Sequence, residues 1–291
     1  MRQYAFRIVN VFAGQTLGGN PLCVFENASG MSDEEMQALA LQFNLSETTF
    51  ILPSEVATAR MRIFTPDTEM AFAGHPSLGS AHVVSALNQG RQHLSLECKG
   101  GIIPLIFNDN RWTLTTPTKP GPHVQASNLA IGDVAAMLGL TEDDILSVPV
   151  WVNTGSQQLL VPLKSSAAVG RAQPDAAKLS DWPANQLGRK SAYVFAPDAT
   201  HYVGTGRREI KVRYFFARQG GGFAEDPGTG SACANLGGWL VEQGHELPAS
   251  LVVSQGEYVR RPCQLYLDID IDKKIHVGGN VIEIAQGRLQ I

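Results

Sequence analysis

The sequence predicts an α+β protein made of two halves on one plan, related by a pseudo-twofold axis. The first half reads as a mainly antiparallel sheet wrapped about a helix. Three observations carry this. The chain writes one piece twice: Arg62-Ile63-Phe64 precedes His75-Pro76-Ser77-Leu78-Gly79-Ser80-Ala81, and Arg213-Tyr214-Phe215 precedes Asp226-Pro227-Gly228-Thr229-Gly230-Ser231-Ala232. Residues 62 and 213, 75 and 226, and 81 and 232 all stand 151 positions apart. Short runs of β-branched and aromatic residues with turn residues between them outnumber the helical patterns. Pro117 to Pro122 holds three prolines and a glycine in six positions, which is linker composition.

In chain order, Tyr4 to Phe12 is strand-like, Gly14 to Asn20 is a glycine-containing loop, and Pro21 to Phe25 is a second short strand. Ser32 is an N-cap with Glu35 completing a capping box, and Met36, Leu39, Ala40 and Phe43 share one helical face until Asn44. Glu47 heads the next strand, Ala59 to Phe64 is another, and a helix spans His75 to Leu87. Leu94 to Cys98, Gly101 to Phe107 and Arg111 to Thr115 are three further strands. The second half opens with a helix at Ile131 to Leu138, then strands near Val148 to Asn153 and Gln158 to Leu163. A helical or irregular piece at Ala172 to Leu179 leads to strands at Ser191 to Phe195 and Glu209 to Phe216. Pro227 suits the first turn of the helix that continues through Ser231 to Leu240. Strands at Leu251 to Ser254, Cys263 to Ile271 and His276 to Ala285 close the chain. Gly19 to Phe25 is also echoed, more faintly, by Ser156 to Pro162.

A chain of 291 residues, 44% hydrophobic and 17% charged, suits two compact domains and not a disordered segment. A formal net charge of −4 offers no general attraction to nucleic acid or anionic lipid. With no apolar run of spanning length, the expectation is no membrane and a cytoplasmic protein. Cys23, Cys98, Cys233 and Cys263 are dispersed, without metal-ligand spacing, and read as buried thiols. No metal, nicotinamide or flavin is expected, because neither a P-loop nor a dinucleotide fingerprint is present, and no G-x-S-x-G elbow appears.

Three ionisable residues stand at or beside helix entrances. His75, where helix N–H groups begin, is disfavoured as imidazolium and suits a neutral, proton-passing role. Asp226 is favoured as carboxylate there, or serves simply as an N-cap. Glu47 is either a solvated strand end or a partly buried general base. Backbone N–H groups of Gly74 and His75, or of Gly230 and Ser231, could neutralise a substrate carboxylate. A binding protein without catalysis, or a hydrolase using Ser231 and His75, are the alternatives.

The segments V-F-A-G-Q-T-L-G-G-N-P-L-C-V-F (11–25), L-S-E-T-T-F (45–50), F-T-P-D-T-E-M-A-F-A-G-H-P (64–76), A-E-D-P-G-T-G-S-A (224–232) and V-G-G-N-V-I-E-I-A-Q-G-R-L (277–289) go further. Through them the chain resembles the PhzF-like phenazine-biosynthesis family, within the group that has the diaminopimelate epimerase fold. The resemblance implies two lobes, residues 1–118 plus 275–291 and residues 119–274, with a cleft between them and a homodimeric assembly. It implies a cofactor-free isomerase acting on a small carboxylate-bearing metabolite, in the manner of the dihydro-hydroxyanthranilate isomerase of phenazine biosynthesis. Glu47 would be its acid/base, with His75 and Asp226 as further catalytic residues and Gly74, Gly230 and Ser231 binding substrate. Related epimerases use two opposed cysteines; Ala73 and Pro227 stand at those places here, which implies one-carboxylate chemistry instead.

Overall fold

The structure, a computed structural model, describes residues 1–116, 121–197, 207–218 and 220–291. Most of the expected linker, residues 117–120, lies outside them. The chain forms two compact units: Met1–Thr115 with Gly278–Ile291, and Thr116–Val277.

In the first unit the strands are β1 (Gln3–Val11), β2 (Asn20–Phe25), β3 (Glu47–Leu52), β4 (Ala59–Phe64), β5 (Glu69–Met70), β6 (His93–Cys98), β7 (Gly101–Asn108) and β8 (Arg111–Thr115). Helices α1 (Asp33–Phe43) and α2 (Gly74–Leu87) interrupt them. Strands β1 and β2 pair antiparallel, β2 and β3 parallel, β3 and β4 antiparallel, and β4 and β6 parallel. Antiparallel steps to β7 and then β8 follow. A parallel pair needs a crossover, and α1 supplies it between β2 and β3 while α2 supplies it between β4 and β6. The strand Val281–Gln290 pairs antiparallel with β1 along its whole length, Gln3 facing Gln290.

Helix α2 lies against β1, β2, β3, β4, β6, β7 and β8, so the sheet curls around it. Its residues explain why this is possible. From His75 to Ser85 nearly all are buried, and most are Gly, Ala, Ser, Pro or Val. A Cβ on Gly79 would lie 2.6 Å from Leu22 Cδ2, so only glycine lets β2 approach that closely. Helix α1 packs on the sheet's other face, with Met36 and Ala40 against Phe25, Phe50 and Phe64. Phe25 and Phe50 stack at 4.8 Å, and Phe64 meets Phe50 edge-on at 5.4 Å. The Ser32–Glu35 capping box forms, and Asn44 ends α1 in the left-handed region.

The second unit repeats this plan with β9 (His123–Ala126), α3 (Ile131–Met137), β10 (Val150–Asn153), β11 (Gln157–Pro162), α4 (Ser166–Arg171), β12 (Ser191–Phe195), β13 (Arg208–Ala217), β14 (Phe223–Asp226), α5 (Gly230–Glu242), β15 (Ala249–Gln255) and β16 (Cys263–Ile269), and its end at Val277 falls within β17 (Ile275–Gly279). The final strand, Val281–Gln290, is β18. The β9–β10 and β10–β11 steps are antiparallel, β11–β12 parallel, β12–β13 antiparallel, β13–β15 parallel and β15–β16 antiparallel. That is the sequence of steps from β18 through β1 to β7. Central here is α5, which lies against β9, β10, β11 and β16. Outside the sheet, Val134 and Met137 of α3 and Val169 of α4 share a core with Val161, Val194 and Trp182.

Four local expectations are corrected or sharpened. Of the two forms expected for Ala172 to Leu179, helical or irregular, the irregular one is found, with only a 3-10 turn at Ala176–Lys178, and the α-helix lies earlier, at Ser166–Arg171, capped by Ser165. Pro174 lacks the N–H to carry the helix on. Strand β14 ends at Asp226 and α5 starts only at Gly230, so Pro227 precedes the helix instead of sitting in its first turn. The strand expected at His276 to Ala285 divides at Asn280 into β17 and β18. Beside that break, a Cβ on Gly279 would fall 2.4 Å from the Phe12 ring, so the chain must stay glycine there.

The fourth correction concerns the repeat itself. In each unit an arginine of the long strand grips a glutamate of the short one as a fork on a carboxylate. Arg62 Nε and Nη2 lie 2.8 and 2.9 Å from the two oxygens of Glu69. Arg213 does the same with Glu225, at 3.1 and 2.7 Å. Each guanidinium also lies over a phenylalanine, Phe64 at 5.1 Å and Phe215 at 4.6 Å. Residues 62 and 213 differ by 151, but 69 and 225, like the helix starts 74 and 230, differ by 156. The second unit therefore carries five more residues between its arginine and its glutamate: four lengthen the paired strands and one lengthens the turn, which holds Gly220, Gly221 and Gly222, all at positive φ. In position on its helix, His75 corresponds to Ser231 and not to Asp226.

Arg213 is 9% exposed and also donates to the Gly170 and Ala172 carbonyls, so Glu225 neutralises a nearly buried cation. Arg62 retains Asp33 at 2.5 Å as a second carboxylate. Glu225→Ala should therefore destabilise the protein by about 3–5 kcal/mol, and Glu69→Ala by less, as read from urea unfolding midpoints.

Candidate active site

Strand β3 starts at Glu47, in register with Leu22 of the parallel neighbour β2, and so sets this carboxylate at the strand end beside the start of α2. Glu47 Oε2 lies 3.2 Å from His75 Nε2, with the two side chains 15% and 7% exposed. On the other side of the ring, Asn20 Nδ2 is 3.4 Å from Nδ1. Burial drives the His75 pKa down to about 3, against a hydrogen bond to Pro21 that works the other way. The ring is thus neutral at ordinary pH, as expected, but burial and not the helix terminus is the chief cause. The contact joins a neutral imidazole to a carboxyl group, so it does not pair two full charges. Just behind it, the Thr49 and Ser80 hydroxyls bond at 2.8 Å.

In the second unit Asp226 ends β14 opposite Tyr214 and stands four residues ahead of α5. It is not the N-cap; Thr229 is. The Thr229 side chain makes no capping bond and instead donates to Asp226 Oδ2 at 2.5 Å. Gln255 holds this segment: Nε2 donates to the Asp226 carbonyl at 2.8 Å, and Oε1 accepts from Thr229 N at 3.2 Å. At the helix start, Ser231 Oγ accepts from Gln158 Nε2 at 2.8 Å. Tyr214 bonds to Ser191 and Gln158, and burial pushes its pKa up.

The structure thus brings Glu47 and His75 into contact at the entrance of α2, where Gly74 is the first residue. Asp226, Gly230 and Ser231 gather at the entrance of α5. A sequence model described as phenazine biosynthesis-like protein matches residues 9–287. The chain belongs to the PhzC-PhzF family. An uncharacterized isomerase of Pasteurella multocida is 38% identical over 290 residues, covering 98% of this chain and 94% of its own. The trans-2,3-dihydro-3-hydroxyanthranilate isomerase of Pseudomonas aeruginosa is 30% identical over 294 residues, covering 98% and 99%. Among solved structures, a PhzF-family protein of Bacillus anthracis superposes with a TM-score of 0.81 at 23% identity over the full length of both chains. A hydroxyproline epimerase of Agrobacterium vitis shares the fold at a TM-score of 0.59 and 11% identity, over 99% of this chain and 91% of that one. The protein is an enzyme of the isomerase class to which this family belongs.

For a PhzF-family chain, several polar residues of these two entrances escape sequence reasoning: Asn20, Gln158, Tyr214, Asn235 and Gln255. The faint echo of Gly19–Phe25 in Ser156–Pro162 holds two of them, Asn20 and Gln158, and the repeated Arg213-Tyr214-Phe215 holds Tyr214, without giving any a role. All four cysteines are buried and none forms a disulfide, and burial raises the thiol pKa of Cys23, Cys98 and Cys233. Among the described residues no cluster of metal ligands occurs, and no helix is long and apolar enough to cross a membrane. Ser231 is hydrogen-bonded to an amide, which is not a base, so nothing in that contact activates it as a hydrolytic nucleophile.

The burial of His75 has a pH signature. Between pH 6.5 and about 3 the unfolded chain holds a proton that the folded ring refuses. Stability therefore rises with pH through that window and is level above it. From pH 7 to 5 this group should remove about 2 kcal/mol. His75→Gln, which cannot titrate, should lose less than the parent by that amount, as checked by chemical denaturation at pH 7, 6 and 5.

Proposed function

We propose that the protein moves a proton at carbon on a small, cyclic or amino-acid-like carboxylate, with Glu47 as the general acid/base and no cofactor. The observation that carries this is the Glu47–His75 contact, a shielded carboxyl group 3.2 Å from a neutral imidazole. A carboxylate so placed can take a proton from one carbon and return it to another while the electron pair shifts along the unsaturated system between them. His75 holds the carboxyl oxygen and accommodates its change of protonation. Asp226 is the second ionisable group of the reaction. For the substrate's own carboxylate we assign N–H donors of helix starts, Gly74 in the first unit and Gly230 with Ser231 in the second. The identity of 30% with the Pseudomonas aeruginosa isomerase makes trans-2,3-dihydro-3-hydroxyanthranilate the first substrate to offer.

Glu47→Gln keeps the shape and removes the proton carrier, so it should stay folded and lose about 10²–10⁴-fold in turnover. The check is proton NMR of substrate incubated with enzyme in D₂O, where the parent should introduce deuterium at a carbon position. If the parent introduces none into this compound or into a panel of related carboxylates, the protein is a binder and the proposal fails. It fails equally if Glu47→Gln turns over within a factor of about ten of the parent.

A further inference from the structure

Beneath the start of α5 runs a line of buried amides whose hydrogen-bond directions are fixed by two backbone groups. Thr154 N–H can only donate, and it lies 2.8 Å from Asn235 Oδ1, which also accepts from the Thr154 hydroxyl at 2.7 Å. The Ser156 carbonyl can only accept, and it lies 2.8 Å from Asn235 Nδ2. Asn235 is therefore held in one orientation, and its Nδ2 donates at 2.5 Å to Gln158 Oε1. With Oε1 facing Asn235, Gln158 must turn Nε2 to Ser231, donating to Oγ at 2.8 Å. A hydroxyl that accepts in this way keeps its own proton for another partner.

The geometry points to Gln158 and Asn235 as positioning residues that hold Ser231 as a hydrogen-bond donor, making this helix entrance selective for an anionic oxygen of the substrate. The inference rests on the carboxylate reading given under Proposed function. It adds which side chains impose the preference. Asn235 is fully buried and Gln158 is 4% exposed, so neither can turn to water. Flipping either amide sets donor against donor, a large penalty away from solvent. Tyr214, bonded to Gln158 and Ser191, braces the same amide. The direction is therefore built in before substrate arrives. A neutral group lacking an acceptor gains nothing from it.

Two probes separate charge recognition from general packing: 3-hydroxyanthranilate, and 2-aminophenol, which is the same ring without its carboxylate. Gln158→Glu replaces the donor with acceptor oxygens, which draw the Ser231 proton inward. By calorimetry its affinity for 3-hydroxyanthranilate should fall at least about tenfold, with 2-aminophenol changed by less than about twofold. Gln158→Leu should weaken 3-hydroxyanthranilate in the parent and add no further loss in a Ser231→Ala background. Equal weakening of both probes, or an undiminished effect in the Ser231→Ala background, marks a merely structural role and overturns the inference. Neutron diffraction of the deuterated parent decides the direction independently of any ligand. The Ser231 deuteron should point away from Gln158, and a deuteron directed at Gln158 refutes the relay. If the parent binds the acid no more tightly than the aminophenol, the carboxylate reading falls, and the neutron map alone judges the direction of the bond.

Discussion

Each unit is organised by a helix with sheet on nearly every side. Such a helix satisfies its own backbone along its length and leaves donors only at its start. Because the sheet closes tightly around it, its residues must be small, and Gly79 of α2 and Gly237 of α5 mark the closest approaches, where a Cβ would lie 2.6 Å from Leu22 and 2.9 Å from Ile275. Polar chemistry is thereby driven to the helix entrance. In the first unit Glu47, His75 and Asn20 collect there; in the second, Asp226, Thr229, Gln255, Gln158 and Ser231 do. The site chemistry is thus a consequence of how the core is packed.

The two entrances answer the same problem differently. At the second position of α2 stands a titratable ring made neutral by burial; at the second position of α5 stands a hydroxyl whose direction is set by amides. One can change its protonation state and the other cannot. In the reading proposed above, the first group stands beside the proton carrier Glu47 and the second keeps a fixed polarity.

Much of this was legible in the sequence. The bounds of β4, β8 and β12, the capping box at Ser32 and the end of α1 at Asn44 follow from local patterns that no tertiary contact overrides. The existence of a repeat was legible too, but not its register. The sequence match follows proline and small residues in the loops, whereas the structural match follows the Arg62–Glu69 and Arg213–Glu225 forks, whose spacing differs by five residues between the units. Strands β5 and β14 were illegible because they are short and acidic, and they pair with their neighbours where the arginines hold them. Glu47 and His75 could be picked out singly, yet their contact depends on the parallel β2–β3 pairing that sets Glu47 at the strand end. Asn235 carries no spacing signature at all, and Gln158 only the faint echo of Gly19–Phe25. An amide becomes significant only when its partners are known.

Strand β18 lies along β1 from Gln290 to Val281, and the Arg2 carbonyl accepts from Ile291 N–H at 3.0 Å. On the ribosome these partners emerge at opposite ends of the work. Strand β1 is made before the second unit, and β18 follows that entire unit. The first unit is begun early and completed late, whereas the second is continuous and can close as soon as it is released. Until β18 arrives, one flank of β1 is an open edge with unpaired backbone groups, the kind of surface that recruits other strands. Rapid folding of the intervening 162 residues, Thr116–Val277, would shorten that exposure, so the speed of one unit protects the integrity of the other.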